Sequence, residues 1–170
     1  RFACALGPQV NAPLEVFRSP ASGYRMRCEF RIWQTDERAA YVMFNKGSRV
    51  RYEVQSFAPA TPPIQALMPG LLAAINANDA LRRRLFRVDF LCASSGEILV
   101  TLVYHKRLDE AWESAARDLH AEFEVSIVGR SKGQKQVVGY DYVTEQLTVM
   151  GKTYHYRQFE GAFTQPNARV

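Results

Sequence analysis

Apolar and polar residues alternate along 24–33. Tyr24, Met26, Cys28, Phe30 and Ile32 fall on one side of an extended chain, and Arg25, Arg27, Glu29, Arg31 and Trp33 on the other. A second run, 40–44, follows a polar turn at 34–38. A third, 49–54, sets Val50, Tyr52 and Val54 against Arg49, Arg51 and Glu53. The three runs predict an antiparallel meander with one apolar and one arginine-rich face.

The period then changes. Thr61-Pro62-Pro63 reads as a helix start, since proline is accepted in the first turn. Ile64, Leu67, Met68, Leu71, Leu72 and Ile75 follow at helical spacing, and Pro69-Gly70 predicts either a kink or a late start. Arg82-Arg83-Arg84 closes the segment, where cations suit a helix C-terminus. Runs at 86–93 and 97–105 predict a hairpin across Ser94-Ser95-Gly96. Asp109 is the expected N-cap of a helix to about Glu124, with Trp112, Ala115, Leu119 and Phe123 on its apolar stripe. Strands are predicted at 125–130, 136–142 and 153–159. Gln165-Pro166-Asn167 resembles a helix opening that is not continued, which suggests truncation. The predicted fold class is α+β, a mostly antiparallel sheet with two main helices.

Composition narrows the function classes. With 170 residues, 47% of them hydrophobic, the chain can bury one core. No apolar run approaches the roughly 20 residues needed to cross a bilayer, and the N-terminus has no signal architecture, so a soluble cytoplasmic protein is expected. The net charge of +5 is a moderate excess, so what matters is where the arginines sit. Cys4, Cys28 and Cys92 lack CxxC or Cys/His ligand spacing, so no metal is expected. The alternation around Cys28 and Cys92 favours buried reduced thiols over a nucleophile.

The outer face, Arg25, Arg27, Arg31, Arg49 and Arg51 with Tyr24 and Trp33, combines guanidinium groups with aromatic rings, as RNA-binding surfaces do. It could equally be an ordinary charged face with Glu29 and Glu53 as cross-strand partners. Phe86 shares the parity of Val88, Phe90 and Cys92, which favours the core, although a wedge at the strand's start is also open. His105, His120 and His155 are isolated, and no paired carboxylates or phosphate loop stand out. Local reading thus yields no catalytic site.

Several motifs together carry a resemblance. They are Phe17-Arg18-Ser19-Pro20, Tyr24-Arg25-Met26-Arg27-Cys28-Glu29-Phe30-Arg31-Ile32-Trp33 and Tyr104-His105-Lys106-Arg107-Leu108, then Ile127-Val128-Gly129-Arg130, Tyr156-Arg157-Gln158 and Phe163-Thr164-Gln165-Pro166-Asn167-Ala168. In this order and spacing the chain resembles the bacterial tRNA (uracil-5-)-methyltransferases that form the T-loop ribothymidine. The resemblance implies that residues 1–160 are an RNA-binding domain gripping the tRNA T-arm. It makes 161–170 the start of a linker into a Rossmann-like, S-adenosylmethionine-binding domain expected downstream. It implies covalent chemistry, in which a cysteine thiolate adds to C6 of the uracil, C5 takes the methyl group, and a base removes the C5 proton. The nucleophile and base are expected beyond Val170, so no catalytic residue is assigned in this chain. Gln165 matches a cofactor-contacting glutamine, and Arg31, Phe86 and His105 match positions facing the T-loop. The last of these favours the wedge reading of Phe86. Arg25, Arg27, Arg49 and Arg51 rest on the strand pattern alone. A monomer is expected. A stand-alone RNA-binding or RNA-folding module is the alternative, and a ribosomal-RNA methylating relative is disfavoured because no cysteine-rich cluster or added small barrel is visible.

Overall fold

The computed structural model describes residues 15–35, 37–48 and 50–167. Arg49 and Cys4 lie outside them, as do residues 168–170. The fold is α+β. Nine strands are described: β1 Arg27–Gln34, β2 Ala39–Phe44, β3 Arg51–Glu53, β4 Leu85–Cys92, β5 Ile98–Tyr104, β6 Ser126–Ser131, β7 Gln134–Val138, β8 Tyr142–Val149 and β9 Lys152–Phe159. Helices α1 Pro62–Ala77, α2 Asp79–Arg82 and α3 Glu110–Phe123 accompany them. β1 to β7 form one sheet in the order β3-β2-β1-β4-β5-β6-β7, while β8 and β9 form a separate ribbon. Every pairing is antiparallel except β5 with β6, which are parallel because α3 returns the chain between them.

One sheet face carries the core. Cys28, Phe30 and Ile32 of β1, Val88 and Phe90 of β4, and Val100, Leu102 and Tyr104 of β5 meet Ile64, Met68, Leu71 and Ile75 of α1 and Trp112, Ala116 and Leu119 of α3. Each fully buried aliphatic or aromatic side chain contributes roughly 1.5–3 kcal/mol. That burial offsets Pro69, which costs the helix a hydrogen bond and about 3 kcal/mol. Accordingly α1 starts at Pro62, without the late start allowed by the sequence, and contains Pro69. Gly70 leaves room for the neighbouring helix, since a Cβ there would stand 3.0 Å from Phe123 Cε1. Gly129 on β6 plays the same part more tightly. A Cβ there would stand 2.3 Å from Cη2 of the buried Trp112. Asp109 caps α3 by accepting from the Trp112 N–H at 2.9 Å.

Four expectations need correction. The first strand starts at Arg27 rather than Tyr24, because the chain before it is held elsewhere: Arg25 bridges to Ala60 and to Asn167. Of the apolar side of the third run only Val54 is buried. All of β3 is exposed, and Val50 is too, because β3 is the sheet's edge with nothing packed beyond it. The run at 136–142 is broken at Gly139 (φ +84°), which starts a turn separating β7 from β8. Finally, Gln165 to Asn167 does not open a helix. Pro166 accepts from the Met26 N–H at 2.7 Å and Asn167 bridges to Arg25, so this segment runs extended beside the lead-in to β1.

On the opposite face of the sheet, Leu91, Ala93, Leu99 and Val128 bury Val143 from the base of the β8–β9 ribbon. Beside it, Glu145 is fully buried and accepts from the Ser94 N–H at 3.1 Å, from Ser94 Oγ and from Gln158 Nε2 at 3.3 Å. Over the end of β1 and the start of β4 that face is open, with Arg31 and Trp33 exposed.

Candidate nucleic-acid interface

The open face is organised by a bulge. Leu85 pairs with Tyr104 and Arg87 with Val103, so Phe86 is an extra residue in β4. The insertion keeps Leu85 in the core and turns Phe86 outward, which breaks the simple parity of 86, 88, 90 and 92. Phe86 is half-buried. Its ring lies 4.3 Å, centroid to centroid, from the His105 imidazole in a tilted edge contact. The Arg31 guanidinium sits over the same ring, 4.1 Å from its centroid. Arg31 arrives from β1, whose outward parity is as the alternation predicts, and its Cα pairs with that of Arg87. His105 follows β5, and its N–H donates to the Arg84 carbonyl at 2.9 Å, extending the β4–β5 ladder to the bulge. The structure thus brings Arg31, Phe86 and His105 together.

A second aromatic–cation pair lies toward the sheet edge, on the same face of β1 as Arg31. Arg51 of β3 covers the Trp33 ring at 3.5 Å, and Trp33 remains 42% exposed. Among the described residues neither Arg31 nor Arg51 forms an ion pair. Cations held on rings rather than on carboxylates keep donors available for phosphate and base edges.

The other arginines are engaged differently. Arg27 donates to the Ala162 carbonyl at 2.7 Å and pairs with Glu29 at 3.2 Å. Arg25 Nε donates to the Arg27 carbonyl at 2.9 Å. Both line a cleft of about 590 Å³ with Phe57, Ala162, Phe163 and Thr164, away from the Phe86 cluster. Glu53 is bound in a fork by Arg38, at 2.7 and 3.1 Å, rather than by Arg51. Arg49 lies outside the described residues. Gln165 is exposed and lines a separate cleft of about 400 Å³ with Tyr156, Arg157 and Phe163.

Mid-face, Asp89 and Glu29 stand directly opposite across β1 and β4. Burial pushes the Asp89 carboxyl up to about 6, and Glu29 adds to this. Arg87, with Nε 2.8 Å away but not aligned for a hydrogen bond, opposes it. Neither cysteine suits nucleophilic work. Burial pushes the Cys28 thiol up to about 12 and raises that of Cys92 as well. Among the described residues no group of three or more His, Cys, Asp or Glu could hold a metal ion, and no helix is long and apolar enough to cross a membrane.

Sequence reasoning missed the Phe86 bulge, the Glu145 anchor and the bonds of Gln34 to the turn before β4. The first could have been suspected from Leu85-Phe86, two apolar residues competing for one core position.

A family model described as tRNA (Uracil-5-)-methyltransferase matches residues 3–170. The chain belongs to that family. A tRNA/tmRNA (uracil-C(5))-methyltransferase of Acinetobacter baylyi is 49% identical over 167 residues, 95% of this chain and 46% of the relative. The protein of the same name from Vibrio vulnificus is 46% identical over 175 residues, 100% of this chain and 47% of the relative. This member therefore spans about half the length of the curated relatives it matches. Among solved structures, the Pyrococcus abyssi tRNA (uracil-54, C5)-methyltransferase, determined in complex with S-adenosyl-L-homocysteine, superposes with a TM-score of 0.60. It covers 88% of this chain and 38% of its own length, and at 14% identity the likeness is one of fold.

Proposed function

We propose that this chain is the tRNA-gripping part of a uracil-5-methyltransferase, and that its open sheet face receives the T-arm. The observation that carries the reading is the Arg31–Phe86–His105 cluster. It offers an aromatic ring for stacking, a guanidinium lying on that ring, and an imidazole against its edge, all outside the hydrophobic core. A base modified at C5 must leave its stack to be reached. An aromatic side chain on a rigid strand can occupy the vacated space or hold a neighbouring base, and stacking of this kind is worth about 1–3 kcal/mol. Arg31 and Arg51 supply the polyanion contacts. In this reading neither Cys28 nor Cys92 is the nucleophile of methyl transfer, because both are buried with raised pKa values.

The cofactor reading rests on Gln165. An exposed amide beside Arg157 and the aromatic Tyr156 and Phe163 fits the rim of a site for S-adenosylmethionine, which would supply the methyl group. A tRNA substrate is consistent with a cytoplasmic protein.

The test is titration of the chain with a synthetic T-arm hairpin at rising salt. Affinity is expected to fall with salt as phosphate contacts are screened. Phe86→Ala is expected to weaken binding by roughly 5- to 150-fold, the equivalent of the stacking energy, without changing the salt slope. Binding that ignores salt, or a Phe86→Ala variant with native affinity, would sink the proposal.

A further inference from the structure

The turn between α2 and β4 is built with more care than a connection requires. Gln34, the last residue of β1, donates through Nε2 to the Arg82 carbonyl at 2.5 Å and to the Leu85 carbonyl at 2.9 Å. Its Oε1 accepts from the Arg84 N–H at 3.3 Å. One side chain thus satisfies three backbone groups of a four-residue turn. Within it Arg84 adopts φ +61°, a left-handed conformation that costs a non-glycine residue about 1–2 kcal/mol. The Arg84 carbonyl accepts from the His105 N–H, so the turn is tied to the Phe86 cluster through the backbone. Two extended residues span at most about 7 Å. Arg84 therefore stands one nucleotide's reach from Phe86.

The side chains of this turn divide by role. Arg82 is held by Asp79 at 2.5 Å, which neutralises the one carboxylate that lines the notch among the described residues. Arg83 and Arg84 are exposed, and among the described residues neither forms an ion pair. With Gln34 and Thr35 they line a polar notch of about 360 Å³. A strained backbone fixed by a half-buried amide, presenting two guanidinium groups that form no ion pair among the described residues beside a stacking aromatic, is the arrangement expected of a site that grips a phosphodiester next to a held base.

We propose that Arg83 and Arg84 form a phosphate-binding notch for the RNA backbone, engaging the linkage that flanks the nucleotide received at Phe86. This rests on the RNA-gripping reading of the open face. It adds a register, since base and flanking phosphate are read from fixed positions two residues apart.

The experiment compares native chain, Phe86→Ala, Arg83→Gln/Arg84→Gln and Arg83→Lys/Arg84→Lys, each titrated with the T-arm hairpin from low to high salt. Thermal unfolding of each variant serves as a check on the fold. Glutamine keeps side-chain length and removes only charge. The glutamine pair is expected to lose roughly tenfold in affinity and to reduce the salt slope by about 1–2, the signature of one or two lost phosphate contacts. The lysine pair is expected to recover the slope. A neutral methylphosphonate at each loop linkage in turn locates the contact. At the linkage flanking the target uridine, native chain and the glutamine pair are expected to bind alike. A glutamine pair with native affinity and slope, while Phe86→Ala still weakens binding, overturns the notch and leaves the parent reading standing. Losses that are additive at every linkage also overturn it. A native chain that binds no hairpin at any salt overturns both.

Discussion

Glu145→Ala is expected to release the β8–β9 ribbon from the sheet without unfolding the protein. In the native chain the buried Glu145 carboxylate accepts from the Ser94 N–H and Oγ, which lie in the β4–β5 turn, and from Gln158 Nε2 of β9. The link is reinforced by Glu97, which accepts from the Thr144 N–H at 2.9 Å. At the ribbon's base, Glu160 pairs with Arg130 and Asp141 with Lys135. Apart from Val143, the ribbon places little apolar surface on the sheet, and Leu147, Val149, Tyr154 and Tyr156 are exposed. A hydrogen bond to a charged group contributes about 1.5–3 kcal/mol, so losing the carboxylate removes roughly 3 kcal/mol of attachment. At about 1.4 kcal/mol per decade, that raises the ribbon's opening equilibrium about 100-fold. An isolated two-stranded ribbon is marginal in water, so release and local unfolding should coincide. Native-state hydrogen exchange is the assay. The β8 and β9 amides should exchange about 100-fold faster, while those of β1, β4 and β5 keep their protection, and Glu145→Gln should fall between. Unchanged exchange in the ribbon refutes the energetic argument. Equal acceleration through β4 and β5 refutes the claim that the ribbon is a separate unit.

Two other substitutions probe the core and the open face. Gly129→Ala drives a methyl group into Trp112 and to within 2.8 Å of Leu108 Cδ1. Overpacking of this kind costs about 1–3 kcal/mol and should lower the thermal midpoint by several degrees, with a changed tryptophan signal; a native melting curve would show that α3 can shift freely. Asp89 gives a pH signature. Because its folded pKa is raised to about 6 from a usual carboxylate value of 3.8, the folded state holds its proton more tightly, and stability falls as pH rises between those values. Native chain should lose about 1 kcal/mol relative to Asp89→Asn between pH 5 and 7.5, measured by urea unfolding; parallel pH profiles of the two proteins would refute the buried-carboxylate assignment.

The elements that could be read from the chain are those whose pattern is set locally. α3 announces itself by Asp109 and by Trp112, Ala115 and Leu119 on one stripe, and the same residues cap and bury it. The β4–β5 hairpin follows from two apolar runs around Gly96, which adopts φ +91° in the turn. The ribbon was legible only in part. The run at 153–159 marks β9, but Glu145, Gln146 and Thr148 do not look like a strand until the sheet beneath them is present. Arg25 and Arg27 share the parity of Arg31, and parity alone assigns all three to one face. What separates them is long-range: residues 162–167 return beside the start of β1, and Arg27 is spent on the Ala162 carbonyl.

Phe86 shows why the candidate site was legible by motif and not by period. Its parity with Val88, Phe90 and Cys92 assigns it to the core, and no local rule displaces it. The bulge arises because Leu85 fills the core position opposite Tyr104, whose hydroxyl donates to the Leu81 carbonyl at 2.8 Å. Buried Tyr104 and Leu85 thus settle which of two adjacent apolar residues goes inward, and the other is left on the surface between Arg31 and His105. Its position is then fixed from both sides: by Gln34 on the turn before it, and by the β4–β5 ladder after it. A ring held this way loses little further freedom when a base stacks on it, so most of the stacking energy remains available for binding.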